Sequence, residues 1–214
     1  MRLIQLLKQN GLTAEQIKDY QAKSLILING TKQKLACPLS DNDVVTLDGK
    51  VLTIPKPVYY LFNKPVGVVC TNNKSVKASI RNYLPKIDAS CVGRLDKDSH
   101  GLIILTNDGA FAKWILTSDE VSKTYLVKVR DAITPAFQER MREPFLFRGR
   151  ITKDVTIKYL DDYTFEITLR EGMYHQIRKM VIASNNRVTD LLRTRIGPYQ
   201  LDGLLDGEIK QFNK

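Results

Sequence analysis

Two prolines in the segment Pro55-Lys56-Pro57 divide this sequence into two blocks. A proline fixes its own φ, lacks a backbone N–H and moves the preceding residue out of the helical region, so closely spaced prolines favour an extended connection. We therefore place a linker here and predict two domains, residues 1–54 and residues 55–214. The length of 214 residues accommodates one small and one medium domain.

The first block has the pattern of two short helices followed by a small sheet. One helix is predicted from three leucines at helical spacing near the start, and the second runs from Thr13, as N-cap, to Lys23. Two strands with turn residues after them follow: Leu25–Ile28 before Asn29-Gly30, and Val44–Leu47 before Asp48-Gly49. This order is compatible with a small nucleic-acid-binding module.

The second block mixes strands and helices. Seven strands are predicted from apolar and β-branched runs: Val58–Phe62, Gly67–Cys70, Leu102–Thr106, Thr124–Val129, Val155–Tyr159, Thr164–Leu169 and Arg187–Ile196. Three helices are predicted at Gly109–Leu116, Pro135–Met141 and His175–Ser184. Because strands outnumber helices and are often neighbours in sequence, we expect an α+β fold with an antiparallel-rich mixed sheet rather than a βαβ repeat.

The net charge favours a polyanionic partner. The chain has 33 Lys+Arg against 23 Asp+Glu, a net charge of +10, and residues 55–214 carry most of the excess. Such a protein is attracted to nucleic acid or to an anionic membrane surface, although a basic protein without such a partner remains the alternative. The apolar runs fall far short of the roughly 20 residues of a spanning helix, and no signal-peptide core follows Met1. We expect a cytoplasmic protein that does not bind membranes.

The cysteines and histidines do not form a metal or disulfide pattern. Cys37, Cys70 and Cys91 are odd in number and widely spaced, and His100 and His175 are isolated from one another. The sequence also lacks a phosphate-binding glycine loop. We therefore expect reduced thiols, no structural zinc, no metal and no cofactor.

Residues 93–109, Gly-Arg-Leu-Asp-Lys-Asp-Ser-His-Gly-Leu-Ile-Ile-Leu-Thr-Asn-Asp-Gly, carry the most chemical information. Their pattern predicts a polar loop in which cations flank Asp96, followed by a buried strand and by a turn that starts a helix. Loops held between rigid elements commonly present catalytic groups. From the residues alone, a solvated surface loop is the alternative.

This stretch resembles the Gly-Arg-Leu-Asp motif of pseudouridine synthases of the RsuA and RluA groups, and its Leu-Thr-Asn-Asp-Gly continuation is similar to the RsuA group, which includes RluB, RluE and RluF. Three further segments resemble family motifs in the same order: residues 60–71 around Asn63-Lys64-Pro65, residues 123–127 around Tyr125, and residues 171–180 around His175-Gln176-Ile177-Arg178. Residues 1–54 resemble an S4 RNA-binding domain. The chain departs from the family pattern at Met173, where an arginine is usual, and this puts one peripheral RNA contact in doubt.

The resemblance implies an enzyme that isomerises one uridine of folded ribosomal RNA without metal or cofactor. It implies that Asp96 is the essential carboxylate, acting either as a nucleophile or as a base on the ribose. It further implies that Arg178 pairs with Asp96 and that Tyr125 stacks on the uracil. Arg94 is expected to brace the place that the extruded base leaves.

Further contacts are expected around this catalytic set. Ile177 is predicted to pack against the pocket, and Lys64 with Pro65 to shape the entrance of the domain, with core packing as the alternative for all three. Arg2 and Lys23 are predicted to contact RNA phosphates, with solvated side chains as the alternative. His100 and His175 are interpreted as structural or RNA-contacting residues.

The resemblance favours 16S ribosomal RNA, or a pre-ribosomal particle that contains it, as the partner of a monomeric enzyme. A 23S ribosomal RNA synthase is one alternative, and a non-catalytic S4-type ribosome-assembly protein is another. A glycosidase that uses Asp96 with Asp98 ranks low, because residues two apart are hard to place on opposite faces of a sugar.

Overall fold

The structure is a computed structural model that describes residues 1–40, 42–71, 73, 75–84, 89–147 and 149–214. It divides into two compact units, Met1–Pro57 with Asn107–Ala110, and Val58–Thr106 with Phe111–Lys214. The chain first passes from one unit to the other directly after Pro55-Lys56-Pro57. No helix among the described residues combines the length and the apolar character needed to cross a membrane.

The first unit contains two helices and a three-stranded antiparallel sheet. Its elements are α1 (Leu3–Gln9), α2 (Ala14–Ala22), β1 (Ile26–Ile28), β2 (Val45–Leu47) and β3 (Lys50–Leu52). The Thr13 Oγ1 accepts a hydrogen bond from the Gln16 N–H at 3.2 Å, so the predicted N-cap of α2 is confirmed. Leu3, Leu6 and Leu7 are fully buried, as their helical spacing predicts.

The turns of this sheet form at two dipeptides that readily adopt positive φ. Asn29 and Gly30 both have positive φ, as do Asp48 and Gly49, which is the geometry that two-residue hairpin loops require. The second turn joins β2 to β3, a strand that was not predicted. The missed strand is three residues long and two of its residues are exposed, so it has no apolar alternation to detect.

The second unit is built on one large sheet. Its elements are β4 (Tyr59–Lys64), α3 (Ile80–Tyr83), β5 (Ser90–Val92), β6 (His100–Thr106), α4 (Gly109–Thr117), β7 (Lys123–Val129), α5 (Pro135–Arg142), β8 (Leu146–Phe147), β9 (Arg150–Ile151), β10 (Thr156–Tyr159), β11 (Thr164–Leu169), α6 (Gln176–Ala183), β12 (Val188–Ile196), β13 (Tyr199–Gln200) and β14 (Ile209–Gln211). The strand order is β10-β11-β7-β12-β6-β4-β14, with β5 beside β6 and β13 beside β12, while β8 and β9 form a separate hairpin.

The pairing confirms the predicted fold class. Every described pair in the large sheet is antiparallel except β6 with β12, which run parallel, so the fold is α+β with a mixed sheet. The predicted strand at Gly67–Cys70 is wrong. Gly67 turns the chain with a φ of +89°, and Val69 forms only an isolated bridge with Ser79.

Both faces of the central strand β6 are covered. Ile103 and Leu105 belong to a core that includes Ile177 and Met180 of α6, whereas Leu102 and Ile104 belong to a second core with residues of α4. Each fully buried aliphatic side chain contributes about 1.5–3 kcal/mol relative to exposure. A strand buried on both faces is a rigid support for the loop that precedes it, residues 93–99.

Candidate active site

A cavity of about 520 Å³ opens beside the loop that joins β5 to β6. The strands β7 and β12 and the start of α6 supply further parts of its wall. Five of the residues predicted from sequence line it: Arg94, Asp96, Tyr125, Ile177 and Arg178. Its volume lies in the range typical of small-molecule sites, about 300–1,000 Å³.

The β5–β6 loop is held at several points. Leu95 is buried and its N–H donates to the Cys70 Sγ at 3.5 Å, while the exposed Arg94 and half-buried Asp96 flank it. This alternation places both polar side chains on the cavity wall, as their spacing of two predicts. The Gly67 N–H donates to the Lys97 carbonyl at 2.8 Å, and the Ser99 N–H donates to the Asp96 carbonyl at 3.2 Å.

The structure gives Asp96 a different partner from the one predicted. Its Oδ1 lies 3.2 Å from the Nε2 of His175, and the carboxylate side chain is 36% exposed. Arg178 does not form an ion pair with Asp96; its Nη2 donates instead to the Asp98 carbonyl and to the Ser99 Oγ, both at 3.1 Å. The guanidinium therefore holds the backbone of the loop that carries the carboxylate.

His175 reaches Asp96 because of its backbone. It precedes α6 with φ 55° and ψ 32°, a left-handed conformation, and its ring stacks on Tyr174 with a centroid separation of 3.9 Å. From the sequence, His175 was interpreted as a structural or RNA-contacting residue and not as a partner of Asp96, because a positive φ at a histidine has no local signal. The sequence does place His175 three residues before Arg178, a spacing that brings two side chains to one face of a helix. This spacing could have indicated that His175 lies near the site.

Tyr125 lies in the middle of the sheet and is 8% exposed. Its side chain belongs to the main core and also lines the cavity. Tyr125 therefore packs in the core and forms part of the site wall. Across the sheet it pairs with Arg193 of β12, whose Cζ lies 6.0 Å from the centre of the Tyr125 ring. Arg193 and Lys123 both line the cavity, and neither was predicted from sequence.

Gly101 allows β12 to pack closely against β6 beside the site. It pairs with Arg193 in the parallel contact between β6 and β12 and has a φ of +104°. A Cβ at this position would lie 2.4 Å from the Arg193 carbonyl oxygen. Only glycine permits this approach without displacement of one strand.

Lys64 packs in the interior, as the alternative of core packing describes. It is fully buried, and its Nζ donates to the carbonyls of Pro65 at 3.0 Å and Val68 at 2.8 Å. Burial lowers the pKa of Lys64, and the charges of Cys70 and Asp96 oppose that change. Lys64 therefore holds the turn after β4, and its charge lies close enough to Asp96 to interact with it.

Two thiols adjoin the loop. A hydrogen bond from Cys91 lowers the pKa of Cys70 to about 6 against the effect of burial, and the Leu95 N–H and the charges of Lys64 and Arg193 act in the same direction as Cys91. The same hydrogen bond, together with burial, raises the pKa of Cys91. Among the described residues, no group of three or more His, Cys, Asp or Glu is arranged to hold a metal ion.

Arg2 and Lys23 belong to the first unit and are exposed. Arg2 lies at the N-cap of α1, where its N–H donates to the Gln5 Oε1 at 2.8 Å. The Lys23 Nζ forms an ion pair with Asp19 at 2.8 Å, so part of its charge is already balanced. Arg2 is the freer of the two for a phosphate contact.

Comparison with known proteins points to one family. Residues 58–183 match the family model described as RNA pseudouridylate synthase. The ribosomal small subunit pseudouridine synthase A of Pasteurella multocida is 34% identical over 100% of this chain and 96% of its own length. The dual-specificity RNA pseudouridine synthase RluF of Escherichia coli is 32% identical over 97% of this chain and 74% of its own length.

Solved structures agree with the sequence matches. A pseudouridylate synthase crystal structure superposes with a TM-score of 0.69 at 33% identity and covers 100% of this chain and 96% of its own. An H/ACA ribonucleoprotein bound to a substrate RNA containing 2′-deoxyuridine gives a TM-score of 0.51 at 20% identity over 68% of this chain and 49% of its own. At that identity the second likeness concerns the fold alone.

Proposed function

Because the chain belongs to the RNA pseudouridylate synthase family, we propose that it converts one uridine of 16S ribosomal RNA to pseudouridine with Asp96 as its catalytic carboxylate. The enzyme is an isomerase that acts on ribosomal RNA, in agreement with relatives that match along the whole chain. The observation that carries the proposal is the meeting of Asp96, Tyr125 and Arg178 on the wall of one cavity.

The reaction conserves every atom. The bond from ribose C1′ to uracil N1 breaks, the base turns, and a bond from C1′ to C5 replaces it, while the proton on C5 is lost and N1 gains one. Asp96 serves this reaction in its ionised form, either by attacking the sugar or base or by taking a proton from the ribose. We propose that binding of the uridine displaces His175, which holds the carboxylate in the free protein.

The remaining site residues position the base and the loop. The Tyr125 ring offers a face on which the uracil stacks, and Arg178 fixes the Asp96 loop through two hydrogen bonds. Arg94 is exposed on the cavity wall, where a guanidinium can brace the gap that the extruded nucleotide leaves. Extrusion costs a few kcal/mol, which phosphate contacts of a basic surface offset.

The choice of 16S over 23S ribosomal RNA rests on the relatives. Proteins named ribosomal small subunit pseudouridine synthase A match almost end to end, whereas the match covers 74% of RluF. We further propose that the enzyme acts as a monomer in the cytoplasm, where ribosomal RNA is made in the bacteria that contain these relatives.

We propose that the first unit binds RNA in the manner of an S4 domain. Two packed helices and a small sheet present basic residues such as Arg2, and counterion release on phosphate binding supplies affinity without reading sequence. In this proposal the first unit contributes affinity and the second unit contributes the chemistry.

Mapping of pseudouridines in the ribosomal RNA of a strain that lacks the gene tests the proposal. We expect one 16S position to be unmodified, and we expect a plasmid copy of the wild-type gene to restore it. Asp96→Asn should not restore it, whereas Asp98→Asn should, because Asp98 is exposed and only its backbone carbonyl contacts Arg178.

Three results would contradict the proposal in different ways. Loss of a 23S position would overturn the choice of RNA. Unchanged ribosomal RNA would overturn the assigned substrate and favour a binding protein in ribosome assembly. Full modification in cells that contain only the Asp96→Asn protein would overturn the catalytic role of the carboxylate.

A further inference from the structure

The cavity wall contains a buried guanidinium without a carboxylate partner. Arg193 of β12 is 3% exposed, and its Nε donates to the Leu102 carbonyl at 2.7 Å. Its Nη2 is buried and has no hydrogen-bond partner in the structure, and no described carboxylate forms an ion pair with Arg193. A buried charge without a carboxylate partner and with an unsatisfied nitrogen is costly, and an occupant of the cavity that supplies an acceptor would offset that cost.

The charges around Arg193 favour an anionic occupant. Five basic side chains line the cavity, Arg94, Lys97, Lys123, Arg178 and Arg193, against Asp96 as the one carboxylate in the described lining. Lys64 adds a further cation behind the wall. Lys123 and Arg193 line the same cavity, and burial and, after it, the Arg193 charge lower the pKa of Lys123. Negative charge placed among these cations relieves their mutual repulsion.

The position of Arg193 relative to Tyr125 indicates which part of a substrate it meets. The two residues are paired across β7 and β12, and the guanidinium carbon lies 6.0 Å from the ring centre. Both side chains line the same cavity, so a pyrimidine bound there beside Tyr125 has its polar edges within reach of the Arg193 guanidinium. The edges of uracil present the carbonyl oxygens O2 and O4, which accept hydrogen bonds from a guanidinium.

The reaction makes this edge anionic. When the bond between C1′ and N1 breaks, its electron pair stays on N1 and the negative charge spreads to O2 and O4. When C5 bonds to C1′, the base supplies an electron pair, the C5 proton leaves, and a proton on N1 completes the neutral product. The detached base is thus an anion that must be stabilised and retained until it has turned.

We propose that Arg193 is a further catalytic residue, whose guanidinium binds a uracil carbonyl oxygen and stabilises the negative charge of the detached base. This role rests on the proposed function and deepens it. The guanidinium is fixed before the substrate arrives, since Nε is bound to Leu102 and the backbone is held against Gly101 of β6. A donor that needs no reorganisation during the reaction stabilises developing charge most effectively.

Single-turnover kinetics on ribosomal RNA from the strain that lacks the gene test this role. We expect Arg193→Gln to slow pseudouridine formation by about 10²–10³-fold, the usual effect of losing one such donor, with a change in RNA affinity below about threefold. Arg193→Lys, which keeps the charge, should retain more of the rate. Arg195→Gln is the matched control, because Arg195 is exposed on the same strand and does not line the cavity, and its rate should equal that of the wild type.

A purely structural role is distinguished by chemical rescue. Arg193→Ala leaves space for a free guanidinium ion, and we expect millimolar guanidinium to restore part of its rate while the melting temperature stays the same. A wild-type rate in Arg193→Gln would overturn the inference. The inference would also be overturned if the loss of rate were accompanied by lower RNA affinity or a lower melting temperature and were not rescued by guanidinium. If the wild-type enzyme itself forms no pseudouridine in this RNA, it is the proposed function that fails.

Discussion

Replacing Gly101 with alanine tests whether the close approach of β6 and β12 positions the active site. The new Cβ would lie 2.4 Å from the Arg193 carbonyl oxygen and 2.7 Å from the Arg193 nitrogen. Both are backbone atoms of a paired strand, so they cannot move aside as a flexible side chain can. To reach even a 3.0 Å contact, the two strands must separate by about 0.6 Å.

The cost of this replacement has two parts. A residue with a Cβ at a φ of +104° is strained by about 1–3 kcal/mol, and overpacking adds about 1–3 kcal/mol. The free energy of unfolding should fall by about 2–6 kcal/mol. For a chain of this size each kcal/mol lowers the melting temperature by about 2–4 °C, so a decrease of at least about 4 °C is expected. Because Arg193 and the Asp96 loop would shift, the single-turnover rate should fall by about 10–100-fold.

Thermal unfolding followed by circular dichroism, with kinetics measured well below the transition, provides the assay. Gly109→Ala is the control: Gly109 begins α4, its φ is not positive, and a Cβ there meets nothing within 4 Å. Its melting temperature should be unchanged or slightly higher. If Gly101→Ala melts within about 1 °C of the wild type and reacts at the same rate, the close approach does not position the site.

Other consequences of the structure can be measured separately. Arg178→Lys should lower the single-turnover rate by at least about tenfold at an unchanged melting temperature, because one ammonium cannot reproduce the guanidinium contact with the Asp96 loop; equal rates would refute the positioning role. Since the pKa of Cys70 is lowered and that of Cys91 is raised, iodoacetamide should modify Cys70 before Cys91 and at a lower pH than an ordinary thiol, as peptide mass spectrometry would show; reaction of Cys70 only above pH 8 would contradict this. Arg2→Gln should reduce the slope of log affinity for RNA against log salt by about 1, and an unchanged slope would remove Arg2 from the interface.

The sequence predicted those elements whose pattern is strong and local. Thr164–Leu169 was predicted to the residue, because its alternation has period two, and the helices at Pro135 and Gln176 lie within one or two residues of their predicted bounds. The strands at Ser90–Val92 and Ile209–Gln211 were missed, because three residues are too few to establish a period. Gly67–Cys70 has apolar strand-type residues, yet Gly67 turns the chain there.

The sequence alone predicted two blocks, the α+β class and a polar loop around Asp96, because each prediction depends on residues close together in the chain. Only the tertiary structure decided that His175 is the partner of Asp96, that Lys64 is buried, and that the Arg193 Nη2 is buried without a hydrogen-bond partner. The contacts of His175, Arg178 and Arg193 with residues 96–102 join segments about 80–90 residues apart through the parallel pair β6–β12 and the start of α6. Strand pairing over such distances depends on packing of the whole sheet, and local periodicity carries no information about it.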